Sequence, residues 1–199
     1  MQNKKTILIL LAAFVVLMVG AYLLYGQLGK DQEPEQLQTV QPNKPDTDQS
    51  GTGQTADTEN LAPDFKVYDA QGKAVRLSDY FGKPIVLNFW ASWCGPCQME
   101  MPDFQDAFLE LDGQVQFLMV NMTDGGRETV DKASAFIAQQ GYTFPVFFDT
   151  GYEAATTYGV YSLPTTYFID AQGNLIAQAS GAIDAATLQK GIGMIYQAD

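Results

Sequence analysis

Pro84-Ile-Val-Leu-Asn-Phe-Trp-Ala-Ser-Trp-Cys-Gly-Pro-Cys97 is the stretch whose reading decides the fold. Its first seven residues form a nearly continuous apolar run with β-branched and aromatic side chains, the pattern of a strand buried on both faces of a sheet. A C-x-x-C pair comes directly after it. Beyond Cys97 apolar residues recur at Met101, Phe104, Phe108 and Leu111, a helical spacing that runs to Asp112-Gly113. Pro102 falls inside that pattern and predicts a kink or a break after the first turn. A buried strand handing over to a helix puts both cysteines at the carboxyl end of a central strand, where open α/β sheets form their sites.

Outward from this segment the pattern alternates. Phe65 to Tyr68 and Val75 to Leu77 flank Asp69-Ala-Gln-Gly72 and read as an N-terminal β-hairpin. Strands are expected at Val115 to Val120 and Phe144 to Phe148. Helices are expected from Glu128 to Gln140, ended by Gly141, and around Tyr152 to Tyr158. Thr165 to Ile169 and Leu175 to Ala179 form a second hairpin about Asp170-Ala-Gln-Gly173, and Ala185 to Tyr196 closes with a helix. Strands interleaved with helices and followed by a hairpin imply an α/β fold, a mixed central sheet flanked by helices. Residues 61–199 are of the size of one domain with its own core.

Chemistry is confined by what the chain lacks. It has no histidine and two cysteines in 199 residues, so Ser-His and Cys-His pairs, histidine metal ligation and four-thiolate zinc sites are excluded. Its formal net charge of -12 argues against nucleic acid as a partner. Carboxylates, hydroxyls, backbone and the cysteine pair remain. Cys94 falls at the N-cap of the expected helix, where unpaired N–H groups and the helix dipole stabilise a thiolate, so it is the candidate nucleophile. Cys97, about one turn on, is placed to bridge to Cys94 and to resolve a mixed disulfide, while Gly95 and Pro96 keep the turn tight. Thiol-disulfide exchange is the reaction this allows. A zinc half-site, a purely structural bridge and a coincidental pair stand as the alternatives.

The amino-terminal third has a different character. From Ile7 to Tyr25 nineteen residues run without charge or proline, long enough for a helix to cross a hydrocarbon core of about 30 Å. Lys4 and Lys5 precede the run and acids dominate the segment after it, so residues 1–6 are expected in the cytoplasm and the bulk of the chain outside. The run is longer than the apolar part of a cleavable signal peptide and lacks an A-x-A ending, which favours an uncleaved transmembrane anchor over 7–25. Residues 26–60 are rich in Gln, Asp, Thr, Pro and Gly, with seven acids against Lys30 and Lys44 between Gly29 and Asn60. They read as a disordered acidic tether.

The segment Leu87-Asn-Phe-Trp-Ala-Ser-Trp-Cys-Gly-Pro-Cys97 resembles the active-site region of the thioredoxin superfamily, and more narrowly of its membrane-anchored TlpA/ResA-like thiol-disulfide oxidoreductases. The likeness extends through Ala62-Pro-Asp-Phe65, Leu77-Ser-Asp79, Gly82-Lys-Pro84 and Leu163-Pro-Thr-Thr-Tyr-Phe-Ile-Asp170. It implies a thioredoxin-like sheet and a redox-active Cys94–Cys97 disulfide in place of any cofactor or metal. It also implies a cis Pro164 beside the disulfide, with Leu163 pairing its backbone with substrate. Trp93 would shield one side of the pair. Glu100 matches a glutamate of that branch and could handle the Cys97 proton, and Asn88 stands where cytosolic thioredoxins carry a buried aspartate.

The expected function is therefore an extracytoplasmic, membrane-tethered oxidoreductase that reduces disulfides or oxidised cysteines of exported proteins and is recharged by a membrane electron-donor protein. Candidate clients are the haem-attachment cysteines of apocytochrome c, methionine sulfoxide reductases and sulfenylated proteins. A disulfide-introducing oxidant is the first alternative. A peroxiredoxin-like peroxidase is a lesser one, because the threonine expected ahead of a peroxidatic cysteine is absent from Ala91-Ser-Trp-Cys94. A non-catalytic tethered binding module is the last.

Overall fold

The computed structural model describes residues 10, 13, 14, 17, 18, 37–40 and 60–197. The strands are β1 (Leu37–Thr39), β2 (Lys66–Tyr68), β3 (Ala74–Arg76), β4 (Ile85–Trp90), β5 (Gln116–Asn121), β6 (Val146–Phe148), β7 (Thr165–Ile169) and β8 (Leu175–Ser180). The helices of the same unit are α1 (Gly95–Leu111), α2 (Val130–Gln140), α3 (Glu153–Thr157) and α4 (Ala185–Ile195), with a 3-10 turn at Leu77–Tyr80. The described strands form one sheet in the order β1-β8-β7-β4-β5-β6-β2-β3. β4 runs parallel to β5 and antiparallel to β7, which makes it the central strand of a mixed sheet, as its sequence pattern implies.

All six residues of β4 are buried, because both faces of the sheet are covered. Val86 and Trp90 point into a core built with α1, α2 and α4, whereas Ile85, Leu87 and Phe89 point into a second core with the β2–β3 hairpin and α3. Asn88 shares the face of Val86 and Trp90 and is the strand's one polar residue.

α1 is continuous through Pro102, so of the expected kink or break the break is absent. Pro102 lies on the exposed side of the helix, where a carbonyl left without its intrahelical donor can turn to water. α2 begins at Val130 with Thr129 as its N-cap, two residues later than its expected start, and ends at Gly141 in the left-handed conformation, φ 74°.

The expected tether over 26–60 needs a correction at Leu37–Val40. Leu37–Thr39 pairs antiparallel with β8, Leu37 opposite Ala179, and the Val40 N–H donates to the Ile176 carbonyl at 3.0 Å. Leu37 is 6% exposed and joins the core beside Ala177 and Ala179. One apolar side chain docked at an open strand edge orders a segment whose average composition is polar.

In the amino-terminal segment Leu10, Ala13, Phe14, Leu17 and Met18 are helical and exposed. Among the described residues no helix is long and apolar enough to cross a membrane. The expected anchor over 7–25 is otherwise outside the described residues, as are residues 1–6 and the remainder of the expected tether up to residue 59.

Candidate active site

The site is built where β4 ends. Trp90 is the last strand residue, Ala91 to Trp93 turn the chain, and Cys94 is the N-cap of α1 in an extended conformation. Gly95 and Pro96 open the helix, and Pro96 stands where an N–H would have no intrahelical partner. Cys94 and Cys97 are joined as a disulfide, with Cα atoms 5.3 Å apart. The Cys97 N–H donates to the Cys94 Sγ at 3.2 Å, which is how a helix N-terminus holds charge on that sulfur. Cys97 is fully buried and Cys94 is 4% exposed, so a client meets Cys94 first.

Beside Cys94 opens a groove of about 470 Å³ whose walls include Trp93, Gly95, Pro96, Arg127, Tyr161 and Leu163. The Leu163–Pro164 peptide is cis, as the resemblance implies. Pro164 itself is buried, and the following Thr165 starts β7. Trp93 is 42% exposed, more a wall of the groove than a cover over the disulfide.

Glu100 does not line the groove. It lies on α1 one turn beyond Cys97, 2% exposed, and its carboxylate accepts from Asn88 Nδ2 at 2.9 Å and from the Ile183 N–H at 3.0 Å. Asn88 Nδ2 also donates to Thr166 Oγ1 at 3.0 Å, which links β4, α1 and β7 behind the cysteines. Loss of water around Glu100 outweighs these two donors and pushes its carboxyl up from 4.5 to about 7. At neutral pH it therefore sits near the midpoint between proton donor and acceptor.

Sequence reasoning misses a second buried carboxylate. Glu128, expected at the start of a helix, precedes it in the β5–α2 loop and is fully buried. It accepts from the Ser92 N–H at 2.8 Å, from Ser92 Oγ at 2.6 Å and from Asn121 Nδ2 at 2.7 Å. Its neighbour Arg127 lays its guanidinium over the Trp93 ring, 3.6 Å from the centroid. Arg127-Glu128 thus grips Ser92-Trp93, the dipeptide just ahead of the nucleophile. Nothing in the local pattern of Thr123 to Thr129 marks Glu128 as buried, since its partners at Ser92 are 36 residues away along the chain. Among the described residues no cluster of three or more Cys, His, Asp or Glu could hold a metal ion.

The model of the AhpC/TSA family matches residues 58–178. The thiol-disulfide oxidoreductase ResA of Bacillus thuringiensis subsp. konkukian is 38% identical over 120 residues, 60% of this chain and 68% of that one. ResA of Bacillus subtilis is 32% identical over 67% of this chain and 73% of its own length. The chain belongs to the AhpC/TSA family as a ResA-like thiol-disulfide oxidoreductase. The crystal structure of the exposed lipoprotein thioredoxin Etrx1 from Streptococcus pneumoniae matches with a TM-score of 0.56 and 33% identity, over 66% of this chain and 98% of that one.

In a ResA-like oxidoreductase of this geometry the exchange proceeds in two displacements. A thiolate attacks one sulfur of a disulfide, forming a mixed disulfide and expelling the other sulfur as a thiolate, and Cys94 is the sulfur of the pair that caps the helix and borders the groove. A second thiol then attacks the mixed disulfide and releases the partner as a thiol, and Cys97, bonded to Cys94 here, is within reach for that step. Two electrons and two protons move from the dithiol partner to the disulfide partner, and the same two steps run in either direction.

Proposed function

We propose that the protein is a membrane-tethered, extracytoplasmic reductant of disulfides or oxidised cysteines in exported proteins, recharged by a membrane electron-donor protein. The observation that carries the direction is Glu100, buried one turn beyond Cys97 with its carboxyl near 7. A partly ionised carboxylate buried there opposes negative charge on the cysteine sulfurs. That destabilises the dithiol relative to the disulfide and makes the reduced pair a ready electron donor. Glu100 also serves as the base that takes the Cys97 proton during resolution, in a chain without histidine.

The compartment follows from the uncharged run of 7–25 behind Lys4 and Lys5. The pneumococcal relative is an exposed lipoprotein, and an extracytoplasmic place for this chain agrees with that. Haem-attachment cysteines of apocytochrome c, methionine sulfoxide reductases and sulfenylated proteins are the client classes.

One feature favours the opposite direction: Cys94 at the N-cap of α1 gains thiolate stabilisation, which is what makes a strong oxidant. Equilibration of the Cys94/Cys97 couple against glutathione separates the two. We expect a potential near the thioredoxin end of the range, about -270 mV. A value near about -120 mV identifies an oxidant and overturns the proposal.

A further inference from the structure

We infer that Arg127 is a specificity-determining residue of the exchange groove, and that it selects clients carrying an acidic residue beside the reactive cysteine. The inference rests on thiol-disulfide exchange at this groove and adds the chemistry of the client that fits it.

Arg127 and Asp124 are the charged residues of the groove wall that contains Cys94. They are not equivalent. Asp124 Oδ1 is occupied by its own turn, accepting from the Gly126 N–H at 2.7 Å and the Glu128 N–H at 2.8 Å. Those donors hold its carboxyl below the usual carboxylate range. Arg127 is exposed, and among the described residues its guanidinium makes no ion pair. One face of that guanidinium lies on the Trp93 ring at 3.6 Å. A stacked guanidinium keeps its N–H donors in the plane of the group, pointing outward from the edge, and those match a carboxylate bidentately.

The placement is prepaid. Glu128, fully buried and held by Ser92 and Asn121, fixes the chain on one side of Arg127. Trp93, which the cation covers, is covalently next to Cys94. A client cysteine that reaches Cys94 therefore brings its flanking residues to a cation that is already oriented, and the ordering cost that weakens most surface ion pairs is reduced. The chain's net charge of -12 repels acidic clients at long range. A local cation at the nucleophile is the feature that admits them.

The test uses symmetric disulfides of a capped peptide Ala-Cys-Xaa-Ala with aspartate, serine or lysine as Xaa. The full chain, purified in detergent and reduced beforehand, is freed of reductant and mixed with each peptide. One turnover converts the protein dithiol to the Cys94–Cys97 disulfide and one peptide disulfide to two thiols, so electrons and protons balance without a further reductant. Dividing each rate constant by that for free dithiothreitol removes the effect of Xaa on the peptide's own leaving group.

The aspartate peptide is expected to react about fivefold faster than the lysine peptide, the upper size of an exposed charge pair. The ratio should shrink at about 1 M salt, fall towards one in Arg127→Gln and invert in Arg127→Glu. A ratio that both substitutions leave unchanged overturns the inference. Failure to reduce even the serine peptide is a different result: it removes exchange at this groove, and the charge preference falls with it.

Discussion

Glu100 shows how one side chain ties stability to chemistry. Its carboxyl binds a proton more tightly in the folded chain, near 7, than at its ordinary value of 4.5, so the folded state holds more protons between those values. Stability from this group is fully present below about 4.5 and is lost as pH rises through about 7, by up to about 3 kcal/mol. Asp149, also buried and raised by desolvation, acts in the same direction, so a comparison of variants is needed to isolate Glu100. Glu100→Gln should flatten the decline in unfolding free energy between about pH 5 and about pH 8 relative to the parent chain. It should also remove the inflection near pH 7 from the rate of mixed-disulfide resolution and lower that rate about 100-fold, the usual size of a lost proton-transfer group. An unchanged pH profile would mean that Glu100 holds Asn88 and Ile183 in place and handles no proton. Glu100 is legible in the sequence because the resemblance carries a glutamate at that place, three residues beyond Cys97 on the same helix. Glu128 and Arg127 are not, because the contacts that give them meaning, to Ser92 and Trp93, span a crossover and leave no local trace.

At the level of elements, the sequence reads best where burial is two-sided and continuous. The β4 run, the apolar stripe of α1 and the two hairpins about Asp69-Ala-Gln-Gly72 and Asp170-Ala-Gln-Gly173 all have local causes, and the structure contains each of them. β1 fails that test, since three residues in a polar segment carry no period and their order comes from the β8 edge. Leu37 is the one buried side chain of β1, whereas fixing the backbone of three residues costs about 1–2 kcal/mol each. The net docking free energy is therefore small. Leu37→Ala should lower global stability by no more than about 2 kcal/mol, because the strand can detach instead of leaving a cavity, whereas Leu188→Ala in the same core should cost about 2–5 kcal/mol. Amide hydrogen exchange tells the two apart: Leu37→Ala should speed exchange at residues 37–40 and leave β4 protected. A loss as large as that of Leu188→Ala, with exchange raised across β4, would show that β1 is integral to the core.

For the molecule as a whole, the division of exposure between the two cysteines dictates what a trapped intermediate looks like. Cys97 is fully buried and Cys94 borders the groove, so under the proposed reaction the bond to a client forms at Cys94 and Cys97 is the sulfur placed to release it. Cys97→Ser keeps the nucleophile and removes the resolving sulfur, and the serine hydroxyl is a small change in a site already packed around a sulfur. In cells making the full chain, this variant should accumulate mixed disulfides through Cys94 that survive rapid acid quenching and alkylation and collapse to the parent mass on reduction. Under the proposed topology the attached chains are exported proteins, among them carriers of haem-attachment or oxidised cysteines. The double variant Cys94→Ser with Cys97→Ser should trap nothing, which ties each adduct to the nucleophile and separates covalent exchange from passive association. If Cys97→Ser is present at normal abundance and gives no adducts, the pair does not turn over on protein clients and the chain is a tethered binding module. If the adducts are cytoplasmic proteins, exchange stands and the orientation read from Lys4, Lys5 and the 7–25 run is reversed.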